Sequence, residues 1–231
     1  MEKSGKIIAA ALIGIGIFAA GLAVKSGIVR FKSMERSVTV KGLAEKEVPA
    51  DKVVWRISFS EMGDDMLSLY KKVDANNNII KNYLLEKGLT EDEVLIGSPS
   101  LVDQEEAYSY REGRPRYKYQ IYSTITVPSN KIDLVRDLNS KVITDFINKG
   151  IVLNSYAYYD FKGLNEIKPK MIEEATANAR ASAQKFAEDS HSRIGKIKSA
   201  SQGQLSVEDL DDTTPYIKKV RVVTTIVYYL N

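Results

Sequence analysis

Few side chains in this chain could carry chemistry. It holds one histidine, His191, and no cysteine. A zinc centre draws several imidazole, thiolate or carboxylate ligands together, and a serine or cysteine nucleophile needs a placed imidazole. His191 follows Asp189 at the end of a helical stretch, where the helix dipole favours a cation. No nucleophile signature accompanies it, so it reads as a surface residue at a helix end. The acidic pairs Asp64–Asp65, Glu105–Glu106 and Asp211–Asp212 are the other candidates for acid–base work. Members of each pair are adjacent in sequence. On a strand they would point to opposite faces, and in a loop they would face water. Five methionines without a cysteine offer no thiol redox chemistry. Gly14-x-Gly16 lies inside an apolar run with no strand before it, so it is no phosphate loop. No catalytic residue, cofactor or metal is expected.

One constellation suits binding instead. Tyr108, Tyr110, Arg111, Arg114, Arg116, Tyr117 and Tyr119 alternate aromatic and cationic character, with Tyr122 just beyond. Tyrosine and arginine are enriched where proteins meet, and together they form either an oligomer contact or an anionic-surface contact. Tyrosines at a sheet edge with hydroxyls in water are the plain alternative. The 33 basic and 30 acidic residues leave a net charge of +3, too weak a balance to call for nucleic acid.

The clearest element is at the start of the chain. Ile7 to Val24 reads IIAAALIGIGIFAAGLAV, 18 residues without a charge. As a helix it spans about 27 Å, near the thickness of a bilayer's hydrocarbon. Lys3 and Lys6 precede it, and Lys25, Arg30 and Lys32 follow. The length favours an uncleaved transmembrane signal anchor. A signal peptide cleaved after Gly21-Leu22-Ala23 is the alternative. Residues 1–6 then form a cytoplasmic stub, 25–36 a linker and 37–231 a single exported domain. Ala10-x-x-x-Gly14 and Gly16-x-x-x-Ala20 are ordinary for such a helix. The absence of cysteine suits an oxidising compartment.

The exported part alternates between two periodicities. Ser37–Gly42 reads as a strand, and a turn follows at Pro49 and Asp51. Val53, Trp55, Ile57 and Phe59 then recur at period two as a half-buried strand with Trp55 in the core. A helix starts at Asp64–Asp65, carries Met66, Tyr70, Val73, Asn77, Ile80 and Leu84 on one stripe, and stops at Gly88. Asn76–Asn78 read as mostly solvated. Strands follow at 94–102 and 117–127, joined by a long hairpin loop at 103–116. Pro128 ends the second, and Asn130 caps a helix bearing Leu134, Leu138, Val142 and Phe146. Residues 151–161 form another strand. The longest helix, about 165–190, has Pro169 in its first turn and Ile172, Ala175, Ala179, Ala183 and Phe186 on one face. Strands at 194–202 and 220–230 flank an acidic loop at Ser206–Pro215. The order β β α β β α β α β β predicts an α+β fold with largely antiparallel sheets. Residues 94–127 and 194–230 echo each other as strand, acidic loop, basic residues and strand, a hairpin type used twice.

Val40-x-Gly42-x-Ala44-x-x-x-Val48-x-x-Asp51 resembles the opening signature of the SIMPL-domain family. The resemblance continues in Ala175-x-x-x-Ala179-Arg180-x-x-Ala183-x-x-x-Ala187, in Ile194-Gly195-Lys196-Ile197, and in the closing Val220-x-Val222-x-Thr224. It spans roughly Ser37 to Asn231, with Ala44 where the family usually has Gly and Ala50 inserted between Pro49 and Asp51. It implies an extracytoplasmic domain of two packed α/β modules. It also implies bacterial relatives linked to oxidative-stress defence, some of them assembled into rings. The family lends no catalytic residues.

The expectation is a non-enzymatic protein of the cytoplasmic membrane, anchored by residues 7–24, with its folded head outside and self-assembled into a homo-oligomer. A stress-defence role follows from the resemblance, and no protein partner is named. A small-molecule or lipid-binding module is the first alternative and an unrecognised hydrolase the second.

Overall fold

The computed structural model describes residues 2–33, 36–107 and 116–231, with side chains of the first helix described from Ile13 to Val29. That helix, α1, runs Glu2–Ser33. It continues through 25–33, where a linker was expected; Lys25–Ser33 contains no proline, and the single Gly27 does not end the helix. Among the described residues no helix is long and apolar enough to cross a membrane. The first six residues of the expected 7–24 span lie outside the described side chains.

The chain divides into two compact units, the first of which includes α1. One comprises Met1–Lys46, Ile167–Ser206 and Val220–Asn231. The other comprises Glu47–Glu166 and Val207–Lys219.

The first unit is organised by the strands β1 (Ser37–Pro49), β7 (Ile194–Gln202) and β9 (Ile217–Leu230), in the order β1-β9-β7. The helix α5 (Leu164–Asp189) lays Met171, Ala175, Ala179, Ala183 and Ala187 inward. The expected stripe is thus rotated: Met171 and Ala187 are buried, while Phe186 is exposed. Val38, Val40, Ala179, Ala183, Ile226 and Tyr228 make the core of this unit. Its alanines have a geometric reason. A Cβ placed on Gly42 would stand 1.8 Å from the Ala175 carbonyl oxygen and 2.4 Å from the Ala179 nitrogen. Strand and helix backbones therefore touch, and the signature glycine is the residue that permits it. Asn178 Nδ2 donates to the Leu43 carbonyl at 2.8 Å and pins the contact. Pro169 sits inside α5 and not in its first turn, since the helix already begins at Leu164.

The second unit is built on β2 (Lys52–Gly63), β3 (Leu95–Ile96), β4 (Ser100–Asp103), β5 (Tyr119–Ser129) and β6 (Leu153–Asp160). The order is β3-β5-β2-β6, with β4 also on β5, and every ladder is antiparallel. The expected strand at 94–102 is broken in two at Gly97-Ser98-Pro99. β5 continues through Pro128 to Ser129, because β3 pairs only as far as Thr126 and leaves the proline no neighbour on that side. The helices α2 (Met66–Glu86) and α4 (Ile132–Ile147) pack on this sheet. Val53, Trp55, Ile57 and Phe59 alternate inward as expected, with Trp55 fully buried. Asp65 is the N-cap of α2, its carboxylate accepting from Ser68 N at 2.9 Å. Lys131, not Asn130, is the cap residue of α4, and the Ser129 hydroxyl accepts from its N–H at 3.0 Å. Between α2 and β3 lies a one-turn 3-10 helix, Glu91–Glu93. The short α3 (Gln104–Ala107) follows β4, and β8 (Ser206–Asp209) occupies the expected acidic loop and pairs with β9.

Asn76 and Asn77 are buried, contrary to expectation. Each has a partner remote in sequence. Asn76 Nδ2 donates to Glu61 at 2.9 Å, and Asn77 Oδ1 accepts from the Ser123 hydroxyl at 2.8 Å. A buried amide is stable once its hydrogen bonds are made. Met66 and Tyr70, counted on the inward stripe, are exposed.

Candidate interaction surface

A sheet covered by helices on one face shows its alternate residues on the other. On the second unit's sheet the odd residues of β2 enter the core, so Val54, Arg56, Ser58 and Ser60 face away from it. The register places Val54 opposite Tyr158, Arg56 opposite Tyr156 and Ser58 opposite Asn154 on β6. Ser60 is opposite Tyr122 on β5. The outcome is an open face carrying three exposed tyrosines, Tyr122, Tyr156 and Tyr158. Val54, Arg56, Tyr156 and Tyr158 line a cleft of about 300 Å³ on it. At one end the Lys218 ammonium lies 5.5 Å from the Tyr158 ring centre and pairs with Asp209. Lys218 is buried to 4% exposure, so this pairing meets a charge that water cannot reach. Asp160, at the end of β6, pairs with Lys162, which holds its carboxyl below the usual range.

A larger depression of about 600 Å³ has Pro49, Ala50, Lys131, Arg136 and Tyr216 among its walls. The Arg136 guanidinium lies 4.9 Å from the Tyr216 ring centre and bonds Asp133 at 3.1 Å. Both hollows open to solvent and mix polar with apolar walls. That suits a surface contact better than an enclosed apolar ligand.

Of the tyrosine–arginine constellation read from the sequence, Tyr108, Tyr110, Arg111 and Arg114 lie outside the described residues. The Arg116 guanidinium stands 5.4 Å from the Tyr117 ring centre, a cation–π contact. Tyr119 is half-buried and packs against the core, with Lys118 5.3 Å from its ring centre. The acidic pairs have local work. Asp64 accepts from Lys118 N at 2.9 Å, Asp65 caps α2, and the Glu105 carboxylate pairs with the Lys118 ammonium at 3.7 Å. Asp211 gathers hydrogen bonds from Thr213 and Thr214, which hold its pKa down at about 2. His191 is exposed at the end of α5 with φ 53°. Among the described residues no three His, Asp or Glu side chains converge as a metal would need.

The strongest anionic knot is met by the chain's own donors. Glu93 accepts from Thr90 N at 2.9 Å, Lys131 Nζ at 2.9 Å and the Ser129 hydroxyl at 2.6 Å. Burial opposes its charge, but these donors prevail and hold its pKa down at about 2. Tyr83 donates to Asp145 at 2.6 Å, and burial together with that carboxylate pushes its phenol up to about 12.

Tyr156 and Tyr158 were missed as a surface. The signal was present: two tyrosines at period two, on the outward register of a strand uncharged from Leu153 to Tyr159.

Two α+β units interleaved along one chain, each with its own antiparallel sheet, define the class of domain. The chain belongs to the SIMPL family, whose model, described as a protein of unknown function (DUF541), matches residues 38–227. No curated protein matches it significantly.

Proposed function

We propose that this chain is a non-enzymatic envelope protein, tethered to the cytoplasmic membrane by α1, whose folded head self-associates. One observation carries the tether. Ile13, Ile15, Ile17, Phe18, Leu22, Val24, Ile28 and Val29 are all exposed, between 49% and 70%, and the side of the helix they leave uncovered carries only the small residues Gly16, Ala19, Ala20 and Ala23 between Ile13 and Val24. A helix lying on a membrane surface would keep a polar face, and this one has none. Taking eight such side chains out of water stabilises by roughly 10–20 kcal/mol.

Residues 1–6 then stay on the cytoplasmic side, and the head is exported. The tyrosine-bearing open sheet face supports self-association. With no cysteine, a role in stress defence would come from what the head gathers at the membrane and not from thiol chemistry of its own.

Flotation of the full chain with liposomes tests the tether against a chain lacking residues 1–33. The full chain should rise with lipid and resist carbonate extraction, and the shortened chain should stay behind. Protein recovered from cells that begins at Val24 and needs no lipid defeats the proposal. Light scattering in detergent tests association, and a strict monomer defeats that part.

A further inference from the structure

An outermost β-strand offers unpaired N–H and C=O groups to any chain that can pair with them, so folded proteins guard such edges. Most edges here are guarded. β3 and β4 are two and four residues long, with Pro99 between them. β7 carries Lys196 and Lys198 and shifts register twice against β9. β8 is four residues long and ends in Glu208 and Asp209. β1 carries Lys41, Glu45, Lys46 and Glu47. β6 has none of these devices. It runs eight residues in unbroken register with β2, without proline, glycine or bulge, and its one charge is the terminal Asp160. Its outward side chains include Tyr156 at 68% exposure and Tyr158 at 53%. Among the described residues no strand pairs beyond it.

We propose that β6 is the edge through which the head self-associates, pairing antiparallel with β6 of a second copy about a two-fold axis at Ala157. This deepens the self-association reading above and rests on it. The charge pattern selects a second copy as occupant. About Ala157, Tyr156 of one copy opposes Tyr158 of the other, twice by symmetry, and aromatic cross-strand pairs stabilise a ladder. Asp160 opposes Asn154, a carboxylate meeting an amide donor. Lys162 opposes Val152. No like charges meet, and the contact is closed and isologous.

The test uses the full chain in detergent. Tyr156→Lys/Tyr158→Lys places four ammonium groups across the joint and should lower the assembled mass at least two-fold. Ile197→Lys, on the guarded β7 edge, should leave it unchanged. Trp55 fluorescence reports that each variant is folded. The chain lacks cysteine, so a mixture of Tyr156→Cys and Tyr158→Cys chains should give disulfide dimers on oxidation that neither chain gives alone. A wild-type assembly that keeps its mass in the lysine variant, or that forms no mixed disulfide, overturns the β6 assignment and leaves the self-association reading standing. A monomeric wild type overturns both.

Discussion

Replacing Glu93 with glutamine keeps the shape of the side chain and removes its charge. The carboxylate ties the 3-10 turn at Glu91–Glu93 to the end of β5 and the start of α4. One oxygen accepts from the Ser129 hydroxyl, and the other from Thr90 and Lys131. An amide has a single acceptor oxygen, so its NH2 group must face either the Thr90 N–H with the Lys131 ammonium or the Ser129 hydroxyl. The drop in pKa from 4.5 to about 2 corresponds to about 3 kcal/mol of linkage. The side chain keeps 18% of its exposure, which trims the expectation to about 2 kcal/mol. The folded pKa lies below the unfolded one. The contribution is therefore complete above about pH 4.5 and disappears as pH falls through about 2. Urea titrations followed by the single Trp55 should give a Glu93→Gln deficit of about 2 kcal/mol at pH 7, narrowing below about 1 kcal/mol near pH 2.5. A variant as stable as wild type at pH 7, or a deficit unchanged on acidification, would refute the reasoning.

Gly42→Ala should cost about 3 kcal/mol or more in thermal unfolding, because its Cβ meets the α5 backbone and not a side chain that can rotate away. Asn77→Ala strands the buried Ser123 hydroxyl and should cost about 1–3 kcal/mol by chemical denaturation, while adding Ser123→Ala should recover part of it. Asp65→Ala removes the α2 cap and should lower the melting temperature at neutral pH. Hydrogen bonds from Ser68 hold that carboxyl below its ordinary 3.8, so its contribution is present above that value and the difference should vanish in strong acid.

Most of the elements were legible because local periodicity and burial coincide in them. Val53–Phe59 alternates cleanly, and Val135, Leu138, Val142 and Phe146 recur at helical spacing, although Val135 takes the place assigned to Leu134. The echoed hairpins both pair antiparallel, β4 with β5 and β7 with β9. What failed depended on distance along the chain. Asn76 and Asn77 look solvated until Glu61 and Ser123 stand beside them. The Ser129 hydroxyl anchors the start of α4, and no local pattern separates it from Asn130. Two modules were implied by the resemblance, but their boundaries were illegible because they fall inside β1, α5, β8 and β9, where composition does not change. The open tyrosine face needed strand order as well as period, since only the sheet order makes β6 an outermost strand.

The strand order β1-β9-β7 has a temporal consequence. The middle strand of that sheet is the last to be made, so β1 and β7 have no ladder to join until it arrives. Between the end of β1 at Pro49 and the start of β9 at Ile217, a ribosome working at about 5–20 residues per second needs on the order of ten to thirty seconds. For that interval β1 is a nascent ribbon with nothing to zip against. Its alternating charges then serve as protection during synthesis, keeping an unfinished polypeptide from sticking to its neighbours.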